Sequence, residues 1–487
     1  MNRLRIVACC IGMLPGIWAC DGEDSPKPDA IVSDVVETAG GDEAFDTAAP
    51  DADATPELPP FTPGGCGMPA YDWLPRDQVG QIVFQEEDAS WLLPPETLDA
   101  MLAEVGFEAF SPLPYGSRLF RIRYTTQDRG VVREATTLVG IPQPTDGSAG
   151  TYPTVLWLHG TTGFNDGCAP SRGLDGAAGA VLMAALGYIG VAPDYLGMAG
   201  FGGPSGIPHP YLVGEPTAIA SLDAVRAAYA LLESGVLTDE PARPDGRLVP
   251  WGASQGGHAA LWVDRMAGLY APEMELTATL ALIPPAELTG EDEAALAAGG
   301  EGIGNFAGFL TAAMRWYGSP QSLAGVLTDA DPKHYATAVP EVMDTVCGTG
   351  GLFDGLDRVN QLYEQAFLDQ IDAVGMAGLD PWGCYFRENS LTTTTWPRVQ
   401  DSPVLFVLSQ NDELVNEVVE RAAFGEMCGE GGYRMQLIEC AGARHSEGAA
   451  WSLPEQRDWI RARLAGTPLP AEDTCVLTDP VRCSAQP

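Results

Sequence analysis

Hydrophobic and polar positions along the chain follow two periods. "RLFRIRYTT" and "REATTLVGIPQ" alternate or run apolar on either side of "QDRG", which predicts two antiparallel strands joined by a turn. Short continuous apolar runs then take over: "TVLWLHG" (154–160), "YIGVAPDY", "RLVPWG", "LTATLALIPP", "PVLFVLS" and "YRMQLIEC". Runs of this length, bounded by glycine, proline or polar residues, read as buried strands. Helical stretches lie between them: the small and apolar residues 173–186 closed by Gly187, "EPTAIASLDAVRAAYALLESG" with its terminal glycine, and "QGGHAALWVDRMAGL". A segment around 415–424 follows, then a last helix with Trp459, Ile460 and Leu464 on one face. Strands alternating with helices predict an α/β fold with a mainly parallel sheet covered on both faces, and antiparallel strands at its start.

The alternation breaks once, at about 285–399, where helical stretches such as "NFAGFLTAAMRWYG" and "DRVNQLYEQAFLDQIDAV" stand between two strands of the sheet. That is far beyond an ordinary connection and predicts an inserted cap. It leaves and re-enters at the edge where strand ends and ligand sites lie in parallel sheets.

The ends have a different character. "MNRLR" followed by the apolar "IVACCIGMLPGIWA" reads as a secretory signal, and "IWAC" resembles the lipobox of bacterial lipoproteins, which makes Cys20 the expected lipidation site. Residues 21–57 hold twelve acidic residues against the single Lys27, a composition that self-repels and buries little. The expected organisation is therefore a signal peptide (1–19), an acidic linker (20–64), a first core part (65–284), a helical cap (285–399), a second core part (400–466) and a cysteine-bearing tail (467–487).

A net charge of −40 argues against nucleic-acid or anionic-membrane partners, leaving a lipid anchor at Cys20 as the expected membrane contact. Eight cysteines remain once Cys9, Cys10 and Cys20 are set aside, an even number that in an exported chain predicts up to four disulfides. Cys475 with Cys483 is the easiest local closure. No C-x-x-C, H-E-x-x-H or EF-hand pattern occurs, so neither metal nor cofactor is expected.

The chemistry centres on "WGASQGGHAA" (251–260), where "GASQG" fits G-x-S-x-G between a strand and a helix, the context of a nucleophile elbow at Ser254. A serine hydroxyl needs a general base. Of the five histidines, His445 follows the strand "YRMQLIEC" and is the candidate. His258 lies one helical turn beyond the serine and suits packing, and His334 falls within the cap. Asp412, after "PVLFVLS", is the candidate acid that orients the imidazole, with Glu413 its nearest competitor. Two backbone N–H groups are needed for the oxyanion: Gln255, after the nucleophile, and Thr161, with Gly160 or Thr162 as alternatives.

"HGTTG" (159–163), "CAPS" (168–171), "VAPDYLG" (191–197), "HPYLVGEPTAIASLDAVRAA" (209–228) and "WGASQGGHAALW" (251–262) resemble the secretory lipase family of α/β-hydrolases. The resemblance spans about residues 65–466 and implies an exported serine esterase or lipase with a helical cap and the triad Ser254, Asp412 and His445. It also implies that Asp194, Tyr195, His209 and Tyr211 lie near the pocket or support it. The expected reaction is cleavage of a small-molecule ester or lipid through an acyl-enzyme. A peptidase or polyester depolymerase of the same fold is one alternative, and a non-catalytic surface lipoprotein another.

Overall fold

Among the described residues, ten strands form one sheet: β1 (Ile82–Glu87), β2 (Gly116–Asp128), β3 (Val131–Gln143), β4 (Gly150–Leu158), β5 (Ile189–Pro193), β6 (Ala242–Ala253), β7 (Glu275–Leu276), β8 (Thr279–Leu282), β9 (Val404–Ser409) and β10 (Met435–Cys440). The computed structural model describes residues 62–487 apart from 105–109, 238–241, 300–301, 320, 331, 349 and 357. The expected signal, Cys20 and all but the last three residues of the acidic linker lie outside the described residues.

The strand order is β1-β2-β3-β5-β4-β6-β8-β9-β10, with the short β7 beside β6. Pairing is antiparallel from β1 to β5 and parallel from β5 to β10. β2 and β3 pair without a break from Gly116↔Gln143 to Asp128↔Val131 around Arg129 and Gly130. Both turn residues have positive φ, 51° and 72°. That geometry matches the twist of a tight hairpin, and Gly130 adopts it without a Cβ penalty. The central strands β5, β8 and β9 are buried along their whole length, which is why they read as apolar runs rather than alternations.

Helices cover both faces. The first is α1 (Pro95–Glu104), followed by α2 (Leu174–Ala185), α3 (Gly214–Glu233) and α4 (Gln255–Tyr270). The inserted region holds α5 (Leu288–Ala298), α6 (Gly302–Trp316), α7 (Tyr335–Thr345), α8 (Gln365–Val374) and α9 (Trp382–Asn389). The chain closes with α10 (Glu417–Gly429), α11 (His445–Trp451) and α12 (Leu453–Leu464). α3 and α4 bury Ile219, Leu222, Leu261 and Trp262 on one face with Phe406 and Leu437. α2 and α12 bury Val181, Met183, Trp459 and Ile460 on the other with Trp251 and Leu405.

Among the described residues, 285–399 contribute helices and no strand of the sheet. α5–α9 build a separate apolar core from Phe306, Phe309, Leu310, Trp382, Tyr385 and Phe386. Residues after Asn389 rejoin the main body: Leu391 and Trp396 pack in the core beneath α3 and α4, Trp396 stacking on Trp73. Disulfides Cys66–Cys384 and Cys168–Cys347 tie the cap to the N-terminal segment and to the loop after β4.

The local closure of Cys475 with Cys483 does not occur. The tail runs beside β10, with Cys475 N–H donating to the Met435 carbonyl and Val481 N–H to the Glu439 carbonyl. This extended path carries the two cysteines apart, to Cys428 on α10 and Cys440 at the end of β10, and each pairs there.

Candidate active site

Four of the parallel strands end at one edge, with Leu158, Ala253, Ser409 and Cys440 as their last residues. The chain leaves β6 and enters α4 at Ser254, whose φ of 58° and ψ of −122° lie outside the ordinary regions for a residue with a side chain. The turn is held by Ser254 N–H on the Leu282 carbonyl (2.9 Å) and His258 N–H on the Ser254 carbonyl (3.1 Å). The tight approach of helix to strand explains the glycines. A Cβ on Gly252 would collide with the Gly256 carbonyl, and one on Gly256 with the Leu158 carbonyl.

His445 opens α11 directly after β10, and its Nε2 lies 2.9 Å from Ser254 Oγ. Its Nδ1 lies 2.8 and 2.9 Å from the two carboxylate oxygens of Asp412, in the loop after β9. An ionised carboxylate only accepts, so Nδ1 carries the ring hydrogen and Nε2 is left to accept the Ser254 hydroxyl proton. Asp412 is fixed in turn, its Oδ1 accepting the N–H groups of Leu414 and Val415 at 2.9 Å each. Glu413 serves the backbone instead: it accepts the N–H of His445 at 3.1 Å and pairs with Arg444 at 3.2 Å.

The remaining histidines sit elsewhere. His258 is buried, with Nε2 near the Asn389 carbonyl (2.9 Å) and Trp262 Nε1 (3.1 Å), and burial pushes its pKa down to about 4. His334 caps α7 on the surface. His159 stacks on Tyr195 at 4.0 Å with its pKa lowered to about 4 by burial.

Gln255 is the first residue of α4, so its N–H belongs to the turn whose amides have no intrahelical partner. Its side chain is anchored by His209: Gln255 Nε2 donates to His209 Nε2 at 2.9 Å, while His209 Nδ1 donates to the Leu196 carbonyl at 2.8 Å. Burial lowers the His209 pKa to about 4 and keeps that ring neutral, as this pattern requires. On the opposite side the loop after β4 comes up to the serine. A Cβ at Gly160 would sit 3.8 Å from Ser254 Cβ, and Thr161 Oγ1 bonds Tyr211 OH at 3.1 Å.

Asp194, Tyr195, His209 and Tyr211 are all buried, none more than 3% exposed. Asp194 accepts from Ser171 and Thr136 and packs as a structural hub, and burial raises its pKa to about 6. Tyr195 OH donates to the His159 carbonyl (2.9 Å), and Tyr211 meets Phe164 edge-on at 4.9 Å. Reading the sequence missed Glu291, on the first cap helix, which accepts the N–H of Asn416 four residues after Asp412. No local pattern marks it, because the two segments meet only on folding. Among the described residues no helix is long and apolar enough to cross a membrane, and no His/Cys/Asp/Glu group is placed to hold a metal.

A mixed sheet of this topology, with a serine at the strand-to-helix turn after β6, defines an α/β-hydrolase. The secretory lipase family model matches residues 178–325, the segment running from α2 through the serine turn into the cap. Over that segment the chain is similar to secretory lipases, and with the fold this match supports a hydrolase of carboxylic esters. The fold is similar to that of the rice cell wall degrading esterase LipA from Xanthomonas oryzae: 21% identity, 80% of this chain and 99% of that one covered, TM-score 0.61. A putative hydrolase from Legionella pneumophila is similar at 20% identity, 80% and 100% coverage and TM-score 0.59. Candida antarctica lipase A follows at 16%, 84% and 87% coverage and 0.59. No curated protein matches the sequence.

Proposed function

We propose that Ser254 attacks the ester carbonyl while His445 takes its proton, with Asp412 holding the imidazole and stabilising its cation. The alcohol leaves with a proton returned by His445. A water activated by the same ring then releases the acid from the acyl-enzyme. The N–H groups of Gln255 and Thr161 receive the oxyanion, an interaction of the kind worth about 3–4 kcal/mol per donor in such sites. His209 holds the Gln255 side chain and Tyr211 the Thr161 hydroxyl, while Asp194 and Tyr195 brace the segments around Ser171 and His159. The observation that carries the reading is the unbroken chain from Ser254 Oγ through His445 to Asp412, each link at 2.8–2.9 Å.

The substrate is a small-molecule ester or lipid, and the reaction needs no cofactor. The protein works outside the cytoplasm, its folded part held by the acidic linker from a lipid on Cys20. Four disulfides and the family's secretory description support export. The test is a panel of p-nitrophenyl esters of increasing acyl length beside matched peptide anilides. Ester turnover with no anilide cleavage is expected, and preference for the anilides would replace this reading with a peptidase.

A further inference from the structure

Two buried glutamates join the cap to the loop that carries Asp412. Glu291, on α5, directs its carboxyl oxygens to Asn416 N–H at 2.9 Å each. Asn416 is the N-cap of α10 and ends the turn that begins at Asp412. Glu420, on α10, returns the contact, its Oε1 accepting the N–H of Glu287 at the head of α5 (3.1 Å). Each helix thus satisfies an orphan amide of the other.

The second oxygen of Glu420 is buried with no amide or hydroxyl to accept from, and Glu291 is the group beside it. Two carboxylates cannot both ionise at such a place, whereas one proton held between them satisfies both oxygens. The charged groups facing the pair, Glu287 from α5 and Asp412 from the acid loop, are acidic and favour retention of that proton.

We propose that Glu291 and Glu420 share one proton and so latch the cap onto the Asp412 loop, making Glu291 a positioning residue for the catalytic acid. The inference rests on Asp412 being the acid of the triad. Loss of the shared proton sets two like charges against each other and withdraws the cap helix from Asn416. Burial and the neighbouring acids hold Glu420 up at about 8 and Glu291 well above the usual carboxylate range. A carboxyl whose pKa is raised on folding favours the native state below its unfolded value, and that contribution is lost as pH climbs through the folded one. The latch therefore opens on the alkaline side.

The experiment is the background-corrected pH profile of kcat and KM from pH 5 to 9.5 on a short-chain p-nitrophenyl ester. It compares full-length wild type, Glu291→Gln, Glu420→Gln and Glu291→Ala, with fluorophosphonate labelling of Ser254 and thermal melts for each. Wild type should lose kcat above about pH 8, with KM little changed. Either glutamine keeps the acceptor for the partner amide and donates in place of the shared proton, so the falling limb should move up by at least one pH unit. Glu291→Ala, which leaves Asn416 N–H unpaired, should lower kcat at pH 7 about tenfold while the glutamine variant does not. A flat wild-type profile to pH 9.5, an unmoved limb in both glutamine variants, or wild-type kcat in Glu291→Ala overturns the latch. Where a variant melts below assay temperature, the other glutamine variant decides. Ser254 that still labels while the limb stays fixed overturns the latch alone, whereas a Ser254→Ala protein with full activity overturns the triad itself.

Discussion

Ser254 holds a backbone conformation that a residue with a side chain avoids, and the hydrogen bonds of its N–H and C=O groups to Leu282 and His258 keep it there. In the proposed triad, the acid and the histidine are set by direction and not by proximity in sequence. His258 is four residues away and faces Asn389 and Trp262; His445 is 191 residues away and faces Ser254. Asp412 and Glu413 are neighbours, yet one grips the imidazole and the other the backbone amide of the same histidine. Asp412→Asn should therefore cut kcat by roughly 10,000-fold, the scale seen when a triad acid is replaced by its amide. Glu413→Gln keeps an acceptor for the His445 amide while losing the ion pair with Arg444, and should cost about tenfold or less. Steady-state kinetics on one ester checks both, and equal losses would mean the two roles are shared. The sequence singled out Ser254, Asp412 and His445 because each lies just past an apolar strand, and the structure brings the three side chains within hydrogen-bonding distance. Glu291 was not singled out, since its meaning depends on a helix more than a hundred residues further on.

At the scale of elements, the strand–serine–helix unit is a packing solution as much as a chemical one. Gly252 and Gly256 let α4 descend onto β4 and β6 with backbone touching backbone. Gly256→Ala sets a methyl against the Leu158 carbonyl, and neither partner can rotate away. The expected cost is at least about 1–3 kcal/mol, with loss of activity beyond the loss of stability because the β4 loop and the serine turn are pushed apart. Thermal melts together with the labelling rate of the folded fraction measure the two effects separately, and an unchanged labelling rate would contradict the second. The buried strands and long helices were readable from periodicity. β1, α1 and the short helix α11 were not, because β1 is mostly exposed and α11 is only seven residues long. The spacing of the tail's cysteines pointed to a local closure that does not form, since they find partners through an extended segment laid along β10.

At the scale of the molecule, the cap is stapled to the body. Cys168–Cys347 joins it to the loop following the β4 end of the site, where Asn165 also donates to the carbonyls of Met343 and Val346. Opening this link with the paired change Cys168→Ser and Cys347→Ser should cost about 2–5 kcal/mol in stability through the long loop released. It should also lower kcat more than the loss of Cys428–Cys475, a link on the far side of the sheet's β10 edge. Melting temperature and kcat measured for both pairs test this, and equal effects on kcat would contradict it. The cap's existence was legible as an overlong helical interruption. Its end was not: residues 390–399 return to the main core, because Leu391 and Trp396 are large apolar side chains that complete the layer beneath α3 and α4.

The proposed reaction requires that Ser254 become acylated in the course of ester cleavage. The direct measurement is mass spectrometry of the protein after brief exposure to a fluorophosphonate or a slowly deacylating p-nitrophenyl ester, with hydrolysis followed in parallel for wild type and Ser254→Ala. One adduct per chain on the peptide containing Ser254, and a fall in kcat of several orders of magnitude on substitution, is the predicted result. An adduct elsewhere, or wild-type turnover by Ser254→Ala, would contradict the account.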